Sequence, residues 1–341
     1  MTFTRRSAMC SLLAAPALAM PRRARAAIRT LRISHQFPAG TQDQGDFRDR
    51  LVRRFTAGVE QRTKGELAFT VHAASSLMKT VPQFAALRSG ALDLSLYPLA
   101  YASDEVPEAS IGLIPCLVMT YGQGMAWKAQ PIGRELTGFL EARGVKIITW
   151  IWQAGSTACR TAPLTHPEEF GGLRVRGGSR EMDLMFQATG STISAIPSNE
   201  IYAAMRAGTL DAAVTSSTSV ASFRLHEVSR GVTVGGAGSF WFMFEPLLMS
   251  KQVFDGLPAA HRDAIVQVGA GLESFGMEAA QADDEALAKA FWAAGGVAKD
   301  LDEASMDEWR TLAERTAWTE FAARNATCAN LIKLAGAVDP I

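Results

Sequence analysis

The chain has no apolar run of membrane-spanning length. Ser7 to Met20 is small and apolar, but it falls short of the roughly 20 residues that a helix needs to cross a bilayer, which argues against a transmembrane anchor. Cysteine is scarce: Cys10, Cys116, Cys159 and Cys328 are the only four, and no two stand as Cys-x-x-Cys. The expected state is buried, inert thiols, with a bridge from Cys159 to Cys116 or Cys328 as the lesser alternative. Cys10 stands too early in the apolar run for a lipid-attachment site. The five histidines form no His-Glu-x-x-His pattern, and there is neither a Gly-x-Ser-x-Gly elbow nor a Gly-x-x-x-x-Gly-Lys loop. Zinc hydrolysis, elbow-type acyl transfer and P-loop phosphate chemistry therefore have no motif to rest on. Gly235-Gly236-Ala237-Gly238 lacks the third glycine of a dinucleotide fingerprint and reads as a loop, and His166-Pro167-Glu168-Glu169 reads as a helix-capping turn. No catalytic set, cofactor or metal is expected, and the chain does not read as an enzyme.

Net charge is missing too. Lysine plus arginine equals aspartate plus glutamate at 34 each. Residues 1–26 read as an export signal, with Arg5 and Arg6 as a basic start and Ala24-Arg25-Ala26 as a small-x-small cleavage site. The paired arginines raise the twin-arginine route, and the general secretory route stays open beside it. That segment holds five arginines and no acid, so without it the balance is 29 basic to 34 acidic residues, a formal net charge of −5. A chain so balanced lacks the basic face of a nucleic-acid binder and suits a soluble periplasmic protein, here expected to be a monomer. There is no internal repeat, low-complexity linker or charge block. Two domains would have to be stitched together by crossing strands and not by a tether.

What is present is an alternation of strands and helices. Leu31 to Ser34 reads as a strand and Leu67 to Val71 as the next. Between them lies a helix with Phe47, Leu51, Phe55 and Val59 spaced by four. A short helix over Val81 to Ser89 leads to a buried strand ending at Tyr97. This is α/β patterning with mostly parallel pairing, so ligands belong outside the carboxyl ends of the strands, where Gln36, Phe37 and Tyr97 are placed. Val145 to Trp152 and Trp241 to Met249 read as long apolar strands able to cross between domains. Pro258 starts a helix expected to run on to Phe291, and Ser305 opens another through Trp318. The expected division is 28–153 with 242–272 as the first domain, and 154–241 with 273–341 as the second.

One residue stands out. A β-patterned pentad, Gly172-Leu-Arg-Val-Arg176, opens onto Gly177 and Gly178, which puts a guanidinium at a strand's carboxyl end with open surroundings. Arg176 is read as the holder of a ligand carboxylate, each charge-assisted bond contributing about 1.5–3 kcal/mol. The competing reading is an ion pair within the fold.

Several stretches together carry a resemblance. Pro167-Glu-Glu-Phe precedes the Arg176 pentad, and Ile196-Pro197-Ser-Asn-Glu200-Ile-Tyr202-Ala-Ala-Met-Arg-Ala-Gly208-Thr-Leu-Asp211 follows it. Arg62-Thr63-Lys64-Gly65-Glu66-Leu67, Leu87-Arg-Ser-Gly90-Ala-Leu-Asp93 and Leu257-Pro258 complete the set. In order and spacing they resemble the solute-binding subunits of tripartite ATP-independent periplasmic (TRAP) transporters, of the dicarboxylate-binding type. The resemblance implies a two-domain, type II-like periplasmic binding protein with crossing strands at the hinge and long C-terminal helices. It also implies a cleft that closes on an organic acid, delivery to membrane permease subunits, and a carboxylate clamp at the position of Arg176.

Three positions depart from the family pattern. Thr157 stands where many relatives have an arginine, with Arg160 three residues on as a candidate replacement. Thr215 stands where an asparagine is common, and Ser198 where an aromatic residue is frequent. Fewer charged contacts point to a monocarboxylate, with Trp152, Phe240 or Trp241 covering an apolar body. The binding protein of an ATP-driven importer, an exported enzyme on a related scaffold and a ligand-sensing partner of a membrane receptor are the competing functions.

Overall fold

The computed structural model describes residues 28–235 and 238–338. The expected export signal, with Gly236 and Ala237 of the glycine cluster, lies outside the described residues. In chain order the strands are β1 (Arg29–Ser34), β2 (Leu67–His72), β3 (Leu94–Leu96), β4 (Val145–Thr149), β5 (Trp152–Cys159) and β6 (Arg174–Arg176). They continue with β7 (Thr192–Ile193), β8 (Ala212–Ser216), β9 (Gly231–Val234), β10 (Phe242–Phe244), β11 (Leu247–Ser250) and β12 (Val297–Asp300).

These strands make two sheets. The first runs β2-β1-β3-β11-β4; the second runs β12-β9-β5-β8-β6-β7, with β10 against the start of β5. In the first lobe β1 pairs in parallel with both β2 and β3. The helix Phe47–Arg62 makes the crossover, opened by the Asp46 side chain accepting from the Arg48 N–H. Its apolar stripe of Phe47, Leu51, Phe55 and Val59 is buried against Leu31, Ile33, Leu94 and Leu96, so burial of that face and not propensity fixes the helix. The second lobe has its sheet sandwiched in the same way. Val175, Val214 and Cys159 face Phe170, Phe186 and Trp309 on one side, and Ala158 and Ala213 face Ile201, Met205 and Val220 on the other.

Neither long apolar stretch is one continuous strand, as the sequence suggested. Val145–Thr149 belongs to the first sheet and Trp152–Cys159 to the second, with Trp150 and Ile151 as the crossing. The return stretch breaks at Glu245 and Pro246, where proline removes a ladder donor. The crossings lie side by side, the Glu245 N–H donating to the Ile151 carbonyl at 2.9 Å. Apolar patterning registers burial but not which sheet a residue joins.

The C-terminal helices bind the lobes together. The expected helix from Pro258 to Phe291 is two, Ala259–Gly271 and Glu273–Ala293. At the break, Glu273 accepts from Lys128 Nζ at 2.8 Å and from the Trp150 N–H at 3.1 Å, anchoring the second helix to the crossing. Further on, Trp309, Leu312 and Ala313 pack in the second lobe. Phe321, Cys328, Leu331 and Ala335 pack in the first, against Trp127, Ile132 and Leu136. The end of the 273–341 segment, expected with the second domain, thus returns to the first lobe. Cys116, Cys159 and Cys328 are free and buried, so neither candidate bridge forms.

Candidate functional site

Arg176 ends β6 with its side chain buried, 4 % exposed. Parallel pairing with β8 sets it beside Ala213, and the guanidinium reaches on toward the carboxyl end of that strand. Nη1 donates to the Val214 carbonyl at 2.7 Å, Nε to the Ile196 carbonyl at 3.0 Å, and Nη2 to the Tyr101 hydroxyl at 2.6 Å. These three contacts do not exhaust a guanidinium's donors. Gly178 makes room for the group: its φ is +99° and a Cβ there would lie 2.6 Å from Nη1, so the second glycine is required for both reasons.

No carboxylate lies within ion-pair distance of Arg176 among the described residues. The other buried arginine shows the contrast. Arg48 is fully enclosed, and Asp46 at 2.7 Å and Glu245 at 3.3 Å neutralise it. Arg174, two residues before Arg176, is held by both oxygens of Asp211. The acid nearest in effect to Arg176 is Asp183, whose Oδ1 accepts the Gly177 N–H at 3.1 Å. Burial pushes its carboxyl up to about 6, the Arg176 charge pulling the other way.

The opposite lobe meets Arg176 through Tyr101, in the Leu99–Ala102 turn that follows β3. A cavity of about 210 Å³ opens here between the lobes. Val81, Ala100, Tyr101 and Asp104 line it on one side, Gly178, Arg180, Asp183 and Ile196 on the other. Tyr97, which sequence placed near the ligand, is buried behind this wall, donating to the Val81 carbonyl at 3.1 Å and packing edge-on to Tyr101 at 6.2 Å. Gln36 is buried on the same side, its Oε1 accepting from Thr80 at 3.2 Å. Its Nε2 has no partner among the described residues. Phe37 turns away: the Arg48 guanidinium stacks over its ring at 3.7 Å.

The structure gathers some of the sequence candidates and disperses others. Ser198 is at the site, its N–H donating to the Tyr101 hydroxyl at 3.0 Å. Thr215 follows Val214 directly and pairs with Ser156 in β5. Thr157 pairs with Val214, and strand alternation turns it to the face opposite Thr215 and Arg176. Arg160 is not beside Arg176. It leaves the far end of β5, 3.6 Å from Asp211 and half exposed. Trp152 packs edge-on against Trp127 at 4.9 Å and beside Phe244, inside the first lobe. Phe240 stacks on Trp309 at 4.6 Å, and Trp241 lies over Gly155, where a Cβ would collide with its ring. These three aromatics are core and hinge packing. Tyr101 and Asp183 line the candidate site and were missed by sequence reasoning. Tyr101 sits in a turn with no periodicity, and Asp183 looks like any acid in a helix's first turn.

A larger groove of about 570 Å³, between Pro167, Glu168, Ala188, Asp307, Glu308 and Arg315, lies on the outer side of the second lobe. The cation among its lining residues, Arg315, is exposed.

A sequence model of the bacterial extracellular solute-binding proteins of family 7, the DctP family, matches residues 41–325. The chain belongs to this family. A solute-binding protein of Albidiferax ferrireducens is 52% identical over 305 residues, covering 89% of this chain and 90% of that one. The C4-dicarboxylate-binding periplasmic protein DctP of Rhodobacter capsulatus is 25% identical over 280 residues, 78% of each chain. Among solved structures, a TRAP periplasmic solute binding protein of Rhodoferax ferrireducens with bound malonate superposes with a TM-score of 0.88. It has 51% identity and covers 89% of this chain and 96% of that one. This DctP-family chain is thus a TRAP solute-binding protein of the two-lobed type, a carrier and not an enzyme at the level of the family, and such subunits work with membrane permeases.

Proposed function

We propose that this solute-binding protein captures a small organic acid between its lobes, with Arg176 receiving the carboxylate, and presents it to a TRAP permease. The observation that carries this reading is a guanidinium, buried in the second lobe, that has hydrogen bonds but no carboxylate within ion-pair distance among the described residues. A buried charge left without a counterion is costly unless something supplies one, and a carboxylate ligand supplies both the charge and the two acceptors that an arginine fork matches.

The preferred acid is a short monocarboxylate. Arg176 is the only cation buried at the site among the described residues. Asp104 and Asp183 line the cavity and oppose a second negative charge. A short dicarboxylate is the second reading. Arg180 on the same wall and the malonate held by the Rhodoferax ferrireducens relative favour it. Closure turns on the paired crossings at 150–151 and 245–246, the first lobe comprising 28–153 with 242–272 and the second 154–241 with 273 to about Ala313. Export by the signal at 1–26, through either route, completes the reading, and N-terminal sequencing of the periplasmic form checks cleavage after Ala26.

Thermal-shift screening against small acids tests the function. Stabilisation follows RT ln(1 + [L]/Kd), about 2.7 kcal/mol at a hundredfold excess over Kd. Arg176→Ala removes the shift while keeping the fold. A shift from sugars alone, or binding that survives in the variant, contradicts the proposal.

A further inference from the structure

Tyr101 holds an unusual position at the junction of the lobes. Two donors converge on its hydroxyl oxygen, Arg176 Nη2 at 2.6 Å and the Ser198 N–H at 3.0 Å, both from the other lobe. Neither can accept: a guanidinium has no acceptor, and a backbone N–H only donates. Tyr101 Oη is therefore the acceptor in both bonds, and its own hydrogen is committed to neither. The same residue lines the 210 Å³ cavity between the lobes. A cation and an amide donating into the oxygen polarise the O–H bond and make its hydrogen a stronger donor. The ring is fixed by Tyr97 edge-on at 6.2 Å, with the Arg176 guanidinium 5.9 Å from its centre.

We propose that Tyr101 is a ligand-contacting, specificity-determining residue. It donates its hydroxyl hydrogen to a second oxygen of the acid, a keto, hydroxyl or further carboxylate oxygen close to the clamped carboxylate. This rests on the reading of Arg176 as the clamp, and it deepens it: the substrate class becomes short acids carrying an acceptor oxygen near the carboxylate. A hydrogen bond of this kind discriminates strongly because its loss leaves a buried donor unpaired.

The test is calorimetric titration of wild-type protein and Tyr101→Phe with propionate, pyruvate and malonate. Phenylalanine keeps the ring and removes the hydroxyl. Wild type is expected to bind pyruvate or malonate at least about tenfold more tightly than propionate. Tyr101→Phe is expected to lose that advantage, the ratio of pyruvate or malonate affinity to propionate affinity falling toward one whatever common change follows from unpairing Arg176 Nη2 and the Ser198 N–H. Equal weakening for all three acids makes Tyr101 a support for Arg176 alone and overturns the proposal, as does no change for any. Should the variant fail to fold, wild-type affinities that do not distinguish pyruvate or malonate from propionate overturn it equally. Arg176→Gln separates the two readings. If it binds the acids as wild type does, the clamp is wrong. If it binds none while Tyr101→Phe is indifferent to the extra oxygen, the clamp stands and the Tyr101 contact falls.

Discussion

Two buried arginines with opposite surroundings carry the argument at the scale of the residue. Burial works against the charge of Arg48, but Asp46 and Glu245 outweigh it and hold the guanidinium firmly protonated. Arg176 has only carbonyls and a phenol. Its place at a strand's carboxyl end was legible because a basic residue closes a short β-patterned run before two glycines. Its neighbours were not legible, since Tyr101 comes from the other lobe and Asp183 from the following helix. Arg160 misled for a simple reason: from Gly155 it is five residues along an extended strand, roughly 16 Å at about 3.3 Å per residue. Asp183 supports a pH prediction. Its folded pKa, raised to about 6 from 3.8, means that the folded state holds an extra proton between those values. Its contribution to stability is therefore present at low pH and is lost as pH rises through about 6. The same proton removes a negative charge from the cavity wall. Malonate and propionate take up protons themselves in this range, so the wall charge is read from the variant: as pH falls from 7 to 5 the change in malonate affinity should be more favourable in wild type than in Asp183→Asn, by up to roughly tenfold. Parallel curves for wild type and variant would count against an anionic wall.

Among the elements, the crossings are where packing and charge meet. Arg48, from the first lobe's leading helix, donates to Ser219 of the second lobe at 3.0 Å and to Glu245 at the break between β10 and β11. Gln153, at the start of β5, bonds the same carboxylate. Burial pushes the Glu245 carboxyl up to about 7, against the pull of Arg48. One buried cluster thus ties both crossing strands to both lobes. Arg48→Met should lose about 3 kcal/mol or more in a denaturant titration, because it leaves Asp46 and Glu245 buried without their cation. A loss below about 1 kcal/mol would mean that the cluster relaxes to solvent and does not fix the hinge. The sequence announced the helix Phe47–Arg62 by its apolar spacing, but not the breaks at Trp150 and Glu245. All the residues around them are buried, and periodicity carries no information where every face is covered.

For the whole molecule, alternating strand and helix patterns were enough to read an α/β chain, and the family resemblance added two lobes joined by crossing strands. Where the chain's end packs was not readable. Trp309 and Phe321 lie on helices of similar amphipathic pattern, yet one fills the second lobe and the other the first. Only the relative placement of the lobes decides which apolar face covers which. That placement also brings Tyr101 onto Arg176, and on the proposed reading recognition and closure become one event. An acid held by Arg176 from one side and Tyr101 from the other stabilises the shut form through contacts that an open cleft lacks. The measurement that tests this most directly is a crystal structure of the mature protein grown with pyruvate or malonate. The account predicts one carboxylate on Arg176 with N···O distances of about 2.7–2.9 Å, and a second ligand oxygen within hydrogen-bonding reach of Tyr101. An acid bound elsewhere, with Arg176 still engaged only by Ile196, Val214 and Tyr101, would contradict it.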